Sequence, residues 1–226
     1  MGGLLDTRGS ALSWCRRERI GGDAALAAGP RSTRAAALTR EHELALVDTI
    51  RDRYPADLGI AGDLWSRRTV AALAATLFGT APPGAVITRL LATWGVVAQN
   101  PSSRACPLCA GAVDRWMTTA YPAIAASALT HRATLAWLGR TRLCGVTPPS
   151  SVLSAVSGFP GRPRTRFTIA TDDPRATLPR DFLVRLSGRQ GRPLHAIADG
   201  SWATWQLPRR LPARVVLHPM PSCERP

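Results

Sequence analysis

The chain has 226 residues, of which 29 are basic and 15 acidic, so its formal net charge is +14 at pH 7. All of the basic residues are arginine, whose planar guanidinium makes paired hydrogen bonds to phosphate and guanine. Such a charge indicates a polyanionic partner, most simply a nucleic acid. The hydrophobic share of 45% is enough for a core and argues against a wholly disordered chain.

Several functional classes lack support in this sequence. No apolar run approaches the roughly 18 residues of a membrane span, and residues 1–22 lack the apolar core of a secretory leader. The five cysteines follow no disulfide framework, so we expect a cytoplasmic protein with no membrane partner. The common phosphate-binding motifs (GxxxxGKS/T, GxGxxG) and catalytic motifs (HExxH, GxSxG) are missing.

The N-terminal residues 1–37 are rich in arginine, alanine and glycine. Trp14 can anchor the end of a helix, and a Gly-Pro stretch that carries Arg31 and Arg34 is typical of a basic linker. Both arginines are therefore candidates for contacts with nucleic-acid phosphates. A solvated tail without a partner is the alternative.

Three amphipathic helices are predicted after this segment. The first begins after Thr39 and the second after Ser66, because both residues are good N-caps. Gly79 ends the second helix, and the third ends at Gly95. The positions that the helical spacing turns inward are Leu44, Val47 and Ile50 in the first helix, Val70, Leu73 and Leu77 in the second, and Val86, Ile87, Leu90, Leu91 and Trp94 in the third.

The second and third helices, joined by a tight turn after Gly79, indicate a helix-turn-helix whose third helix reads DNA. The pair Val96-Val97 predicts a short strand or wing beyond it. The candidate DNA-binding residues are Arg67 and Arg68 at the start of the second helix and Thr88, Arg89 and Thr93 on the outer face of the third. A three-helix bundle that binds no ligand is the alternative.

The second half of the chain predicts an α/β domain. A helix from about residue 112 is followed by a change from helical to extended periodicity. A short helix is expected over 178–186. Strands are expected over 134–138, 151–157, 166–170, 194–198 and 214–217. We therefore predict a mixed fold, with an all-α part followed by an α/β part that begins near residue 130.

The order of these features resembles bacterial insertion-sequence transposases of the mariner-like DDE type. The residues that carry the resemblance include Leu64-Trp65-Ser66-Arg67-Arg68, Leu91 with Trp94-Gly95, Gln99-Asn100-Pro101 and Ile197-Ala198-Asp199-Gly200. The resemblance implies a remnant of a first helix-turn-helix with a linker at 1–37 and a winged helix-turn-helix DNA-binding domain at 38–105. It also implies a linker helix at 106–130 and a truncated RNase H-like catalytic domain at 131–226.

Enzymes of this family cleave and join DNA with three acids that hold two Mg²⁺ or Mn²⁺ ions. Only Asp199 matches one of these acids, at the second position. The first position is occupied by Gly139 followed by Arg140, and the third is expected beyond Pro226. Because one carboxylate cannot hold two ions, we expect a catalytically degenerate protein that has not kept its metals. Asp199 is then a residual ligand or a turn-forming residue.

Three functions remain open on this basis. The first is a DNA-binding protein of the nucleoid that recognises double-stranded DNA, by resemblance at terminal inverted repeats, and that can form a homodimer. The second is an active transposase that another reading frame or subunit completes. The third is a non-functional remnant whose sheet has an exposed, aggregation-prone edge.

Other residues that often carry chemistry give weaker signals. Cys106 and Cys109 form a CxxC without the second pair of ligands that a structural zinc site needs, so whether they bind anything stays open. Asp172 and Asp173 are interpreted as turn residues before a proline. The histidines share no ligand spacing and are interpreted as incidental: His42, His131, His195 and His218.

Overall fold

The computed structural model describes residues 38–97, 110–158, 161–172, 178–188, 192–199, 202, 211 and 213–221. The first predicted helix-turn-helix and the linker arginines Arg31 and Arg34 lie outside these residues. So do Cys106, Cys109 and any wing beyond Val97.

The first part of the described chain is helical. It consists of α1 (Arg40–Ile50), a short 3-10 helix (Pro55–Leu58), α2 (Arg67–Phe78) and α3 (Gly84–Thr93). Both predicted N-caps are confirmed, because the hydroxyl of Thr39 accepts a hydrogen bond from the backbone of His42 and that of Ser66 accepts one from Thr69.

The inward faces of the three helices are largely as predicted. Val47, Ile50, Val70, Leu73, Ile87, Leu90, Leu91 and Trp94 are buried. The prediction that Leu77 faces inward is wrong, since its side chain is 42% exposed. Phe78 takes the inward place instead, with its ring 4.3 Å from that of His42 on α1.

The second part is built on a five-stranded mixed sheet. Its elements are α4 (Ala110–Thr130), β1 (Thr134–Arg142), β2 (Ser150–Ser157), β3 (Arg164–Thr171), α5 (Leu178–Leu186), β4 (Leu194–Ala198) and β5 (Val215–Pro219). The strands lie in the order β3-β2-β1-β4-β5. β1, β2 and β3 are antiparallel neighbours, while β4 and β5 run parallel to β1. The predicted α/β class is confirmed. Within the described residues, none of the helices has the length and apolar character of a membrane span.

Helices cover both faces of this sheet. On one face, α1, α2 and α3 share a buried cluster with Val152, Phe167 and Ile169 of β2 and β3. On the same face, α4 packs over Trp137 of β1 and Ile197 of β4. On the opposite face, α5 contributes Phe182 and Leu183 to a second large cluster. The alternation of side chains along each strand separates these cores.

The helical part and the sheet are not separate bodies. Residues from Leu38 to Pro226 form one compact unit, and the Trp94 ring of the α3 C-terminus lies edge-on to Phe167 of β3 at 6.3 Å. The segments on both sides of the boundaries predicted near residues 105 and 130 therefore belong to one compact unit. The reason is the apolar face of the helices, which the sheet covers.

The outer edge of β3 is closed by the helical segment. Trp65 and Phe167 exchange two backbone hydrogen bonds of 3.0 Å. The backbone N–H of Asp52 donates to the carbonyl of Ile169, and its carboxylate accepts from the backbone and the hydroxyl of Thr171. The exposed edge that a decaying remnant is expected to have is therefore not found at β3.

We expect the helices and the sheet to unfold together. Replacement of the fully buried Phe167 by alanine should lower the free energy of unfolding by about 3–5 kcal/mol, because it leaves a cavity that both parts line. Far-ultraviolet circular dichroism and tryptophan fluorescence during urea denaturation should report one shared transition.

The matched control is Leu129→Ala on α4, whose side chain is 82% exposed, and its stability should stay within about 0.5 kcal/mol of the parent protein. Two separated transitions in the parent protein would contradict the shared core.

Candidate nucleic-acid interface

An open groove lies between α2, α3 and β3. Its volume is about 680 Å³. The start of α2 contributes Arg67 and Arg68, α3 contributes Thr88, and the beginning of β3 contributes Arg164 and Arg166. We refer to the groove lined by these five residues as the arginine groove.

Helix capping and the β3 bridge place the arginines of the groove. Ser66 caps α2, so Arg67 and Arg68 are the first two residues of the helix, where the backbone N–H groups and the helix dipole also favour anions. The pairing of Trp65 with Phe167 sets this helix start beside Arg166. Two pairs of arginines that are distant in sequence, one at the start of α2 and one at the beginning of β3, therefore meet at one surface.

Arg67 also lies close to α3. A Cβ atom built on Gly84, the first residue of α3, would be 4.0 Å from Nη1 of Arg67. Arg67, Arg68 and Arg164 are exposed, and Arg166 is half-buried. The guanidinium groups therefore sit at the mouth of the groove, where an anion can reach them.

The charge of this groove is not neutralised within the described part of the chain. The ion pairs found there join Arg40 to Glu43, Arg51 to Asp48, and both Arg140 and Arg142 to Asp172. None of them includes a groove arginine, and the described residues that line the groove include no acid. Four positive charges with no carboxylate partner among these residues make a surface whose chemistry suits phosphate groups.

The outer face of α3 matches the prediction in exposure but offers few donors. Thr88, Arg89 and Thr93 are all exposed. The hydroxyl of Thr88 donates to the carbonyl of Gly84 at 2.8 Å, and that of Thr93 donates to Leu90 at 2.7 Å. Both threonine protons are thus used within the helix, which leaves Arg89 as the side chain of these three that can donate to a base edge.

The structure brings together only some of the predicted residues. Arg67, Arg68 and Thr88 meet in the groove, whereas Arg89 and Thr93 are not among its lining residues. Sequence reasoning missed Arg164 and Arg166. The signal for them was present, because arginines alternate with other residues in a strand and so share one of its sides.

Asp199 directly follows β4 and lies beside Gly139 of β1. The parallel pairing of β1 and β4 ends at Leu138 and Ala198, so the next residues, Gly139 and Asp199, are neighbours. By strand alternation both belong to the face on which Trp137 packs against α4. The position implied for the first acid therefore lies beside Asp199, but glycine provides no ligand.

The other nearby acid, Asp172, is held by arginines on the opposite face. Nη2 of Arg140 lies 2.9 Å from Oδ1 of Asp172, which also accepts a 2.6 Å hydrogen bond from Ser151. Burial by itself raises the pKa of Asp172. The Ser151 hydrogen bond and the nearby charges of Arg140 and Arg142 outweigh burial and hold the pKa below its usual value.

These residues do not fit a two-metal centre. A pair of Mg²⁺ or Mn²⁺ ions needs several oxygen ligands from carboxylates at one place. No cluster of three or more potential metal ligands occurs among the described residues. Gly139 adds no oxygen beside Asp199, and Asp172 is paired with arginine on the other face of the sheet.

Three histidines meet although their sequence spacing gives no hint of it. Nε2 of His218 lies 3.1 Å from Nδ1 of His195, and the ring of His131 stacks 6.4 Å from that of His195. Burial, and then the neighbouring histidine, lower the pKa of both His195 and His218, so both are neutral at pH 7. The pairing of β4 with β5 brings them together.

Comparisons with known proteins add no identification. The chain matches no protein-family model, no curated protein and no solved structure.

We expect Asp172→Asn to lower the free energy of unfolding at pH 7 by about 3 kcal/mol, because it leaves two arginines without their carboxylate. The pKa of Asp172 is lower in the folded protein, so its stabilisation is present above the unfolded pKa near 4 and is lost as the pH falls through the folded pKa. Urea denaturation between about pH 3 and 7 should show the difference between parent and variant shrink at acidic pH.

Asp48→Asn is the matched control, since the Asp48 side chain is 63% exposed in its pair with Arg51. Its effect should stay within about 0.5 kcal/mol at every pH. A difference for Asp172→Asn that does not change with pH would contradict an ionised, arginine-bound carboxylate.

Proposed function

We propose that this protein binds double-stranded DNA through the arginine groove and the exposed face of α3. The observation that carries the proposal is the convergence of Arg67, Arg68, Arg164 and Arg166, which have no carboxylate partner in the described chain. Arginines grouped on one surface of a strongly basic chain are the electrostatic footprint of a nucleic-acid-binding protein.

The helix pair next to the groove favours a duplex. α2 and α3 pack together and are joined by a short turn over 79–83, which is the arrangement of a helix-turn-helix. The exposed face of α3 carries small residues such as Ala85 and Ala92, which allow close approach to a groove of DNA. Arg89 is the base-reading donor on this face.

Phosphate contacts dominate this binding surface. The groove contributes four arginines, whereas the outer face of α3 contributes one. Phosphate contacts carry no direct sequence information. We therefore expect affinity that depends strongly on salt and a modest preference for sequence. Terminal inverted repeats are the target that the transposase resemblance favours.

We further propose that the chain derives from a mariner-like DDE transposase. The mixed five-stranded sheet, with β4 and β5 parallel to β1, supports this origin because the resemblance implies an α/β domain in this part of the chain. The neighbouring places of Gly139 and Asp199, where the parallel pairing of β1 with β4 ends, also support it. The chain would then act on chromosomal DNA in the cytoplasm.

In this proposal the two-metal chemistry of the family is not retained. Asp199 has glycine beside it, and Asp172 is neutralised by arginine on the other face. An active transposase would need a second chain, such as the partner in a homodimer, to supply carboxylates beside Asp199.

Arg67→Gln and Arg164→Gln should each weaken binding to a blunt DNA duplex about 5–10-fold near 0.1 M salt, because each removes one phosphate contact. The slope of log affinity against log salt concentration should become shallower by about 1 for each variant. Fluorescence anisotropy of a labelled duplex across a series of salt concentrations measures both quantities.

Arg115→Gln is the matched control, because Arg115 is exposed on α4, which packs on β1 and β4, away from the groove at β3. It removes the same charge and should leave the salt slope unchanged. Equal effects of all three variants would show that net charge alone, without the groove, drives DNA binding.

Incubation with supercoiled plasmid and Mg²⁺ or Mn²⁺ should produce no nicking above a control without protein, and Asp199→Ala should behave like the parent protein. The physical reason is that a single carboxylate cannot hold two ions. Metal-dependent nicking that disappears in Asp199→Ala would instead establish an active transposase.

A further inference from the structure

A second hollow adjoins the arginine groove on the side of α5. It has a volume of about 560 Å³. Arg68 and Arg166 line both the groove and this hollow, so the two share a wall. Arg185 of α5 also lines the hollow, which therefore extends the row of arginines around the edge of β3.

Arg185 is held in a defined position. Its guanidinium carbon lies 3.7 Å from the centre of the Tyr54 ring, which is a cation–π contact. Tyr54 is only 5% exposed, and burial followed by the charge of Asp181 raises its pKa to about 12. The phenol therefore stays neutral and adds no negative charge against Arg185.

The rest of the lining is mixed in chemistry. Ile60 and Leu186 provide apolar surface, and Asp63 provides an acid. A carboxylate repels a bare phosphate ion but accepts hydrogen bonds from the amino group of a base. Apolar surface, arginines and polar acceptors together suit a nucleotide, which combines a phosphate with a flat base.

We propose that the second hollow binds an unpaired nucleotide of the DNA whose duplex lies in the arginine groove. The hollow has the size of a small-molecule site, which a nucleotide can fill and a duplex cannot enter. Arg68 and Arg166 contact the phosphate at the junction, and Arg185 contacts the next phosphate inside the hollow. This inference rests on the proposed function and assigns single-stranded extensions as the preferred form of its DNA.

The test compares a blunt duplex with the same duplex that carries about four unpaired nucleotides at its 3′ or 5′ end. At least one extended duplex should bind on the order of tenfold more tightly in fluorescence anisotropy. Arg185→Gln should abolish this gain and leave the affinity for the blunt duplex unchanged. A free deoxynucleoside monophosphate should compete with the extension better than inorganic phosphate does.

Because Arg185→Gln also removes the contact with Tyr54, a second variant tests the hollow without changing that contact. Ala61→Trp places a large ring at an exposed position on the wall of the hollow, changes neither residue of the Arg185–Tyr54 contact, and should also remove the gain. Thermal unfolding followed by circular dichroism checks the fold of both variants.

The outcomes separate this inference from the proposed function. The predicted weakening of blunt-duplex binding in Arg67→Gln, together with loss of the extension gain in Arg185→Gln, supports both. The second hollow is not a nucleotide site if blunt and extended duplexes bind equally well. The same holds if the gain persists in Arg185→Gln and Ala61→Trp. Neither result contradicts DNA binding by the arginine groove. If no duplex binds even at low salt, the proposed function fails, whereas binding of a single strand that Arg185→Gln weakens would still support the hollow.

Discussion

The pairing of Trp65 with Phe167 is the contact on which the rest of the structure depends. It joins the helical segment to the outer strand of the sheet through two backbone hydrogen bonds, and both side chains are completely buried. An open strand edge exposes a row of unpaired backbone groups, and here the helical segment supplies their partners. The same contact places the start of α2 beside β3 and so creates the arginine groove.

The arginines of this chain serve two purposes that the structure separates. Some neutralise acids, as Arg140 and Arg142 do around the nearly buried Asp172. Others face open grooves without a carboxylate among the described residues, as Arg67 and Arg164 do. Pairing within the protein lowers the field that a ligand feels, so only the second group can attract a polyanion strongly.

Around Asp199 the sheet keeps its strand pairing although the neighbouring position in β1 carries no ligand atom. Strand pairing depends on the backbone, so β1 and β4 pair in register although Gly139, the position at which the resemblance implies a first acid, has no side chain. Arg140, the next residue, turns to the other face and forms an ion pair with Asp172. The strand register therefore places positions 139 and 199 side by side, but these two residues supply a single carboxylate.

Local features of the sequence were sufficient to predict the elements of the fold. The N-caps at Thr39 and Ser66, and the apolar strand of 194–198, depend on neighbouring residues and were predicted correctly. The groove could not be predicted in the same way, because Arg67 and Arg164 are far apart in sequence and meet only through the β3 edge. The same holds for His195 and His218, whose contact depends on the pairing of β4 with β5. Sequence determined which residues form helices and strands, whereas tertiary packing decided which charges face one another, because charge proximity depends on distance in space.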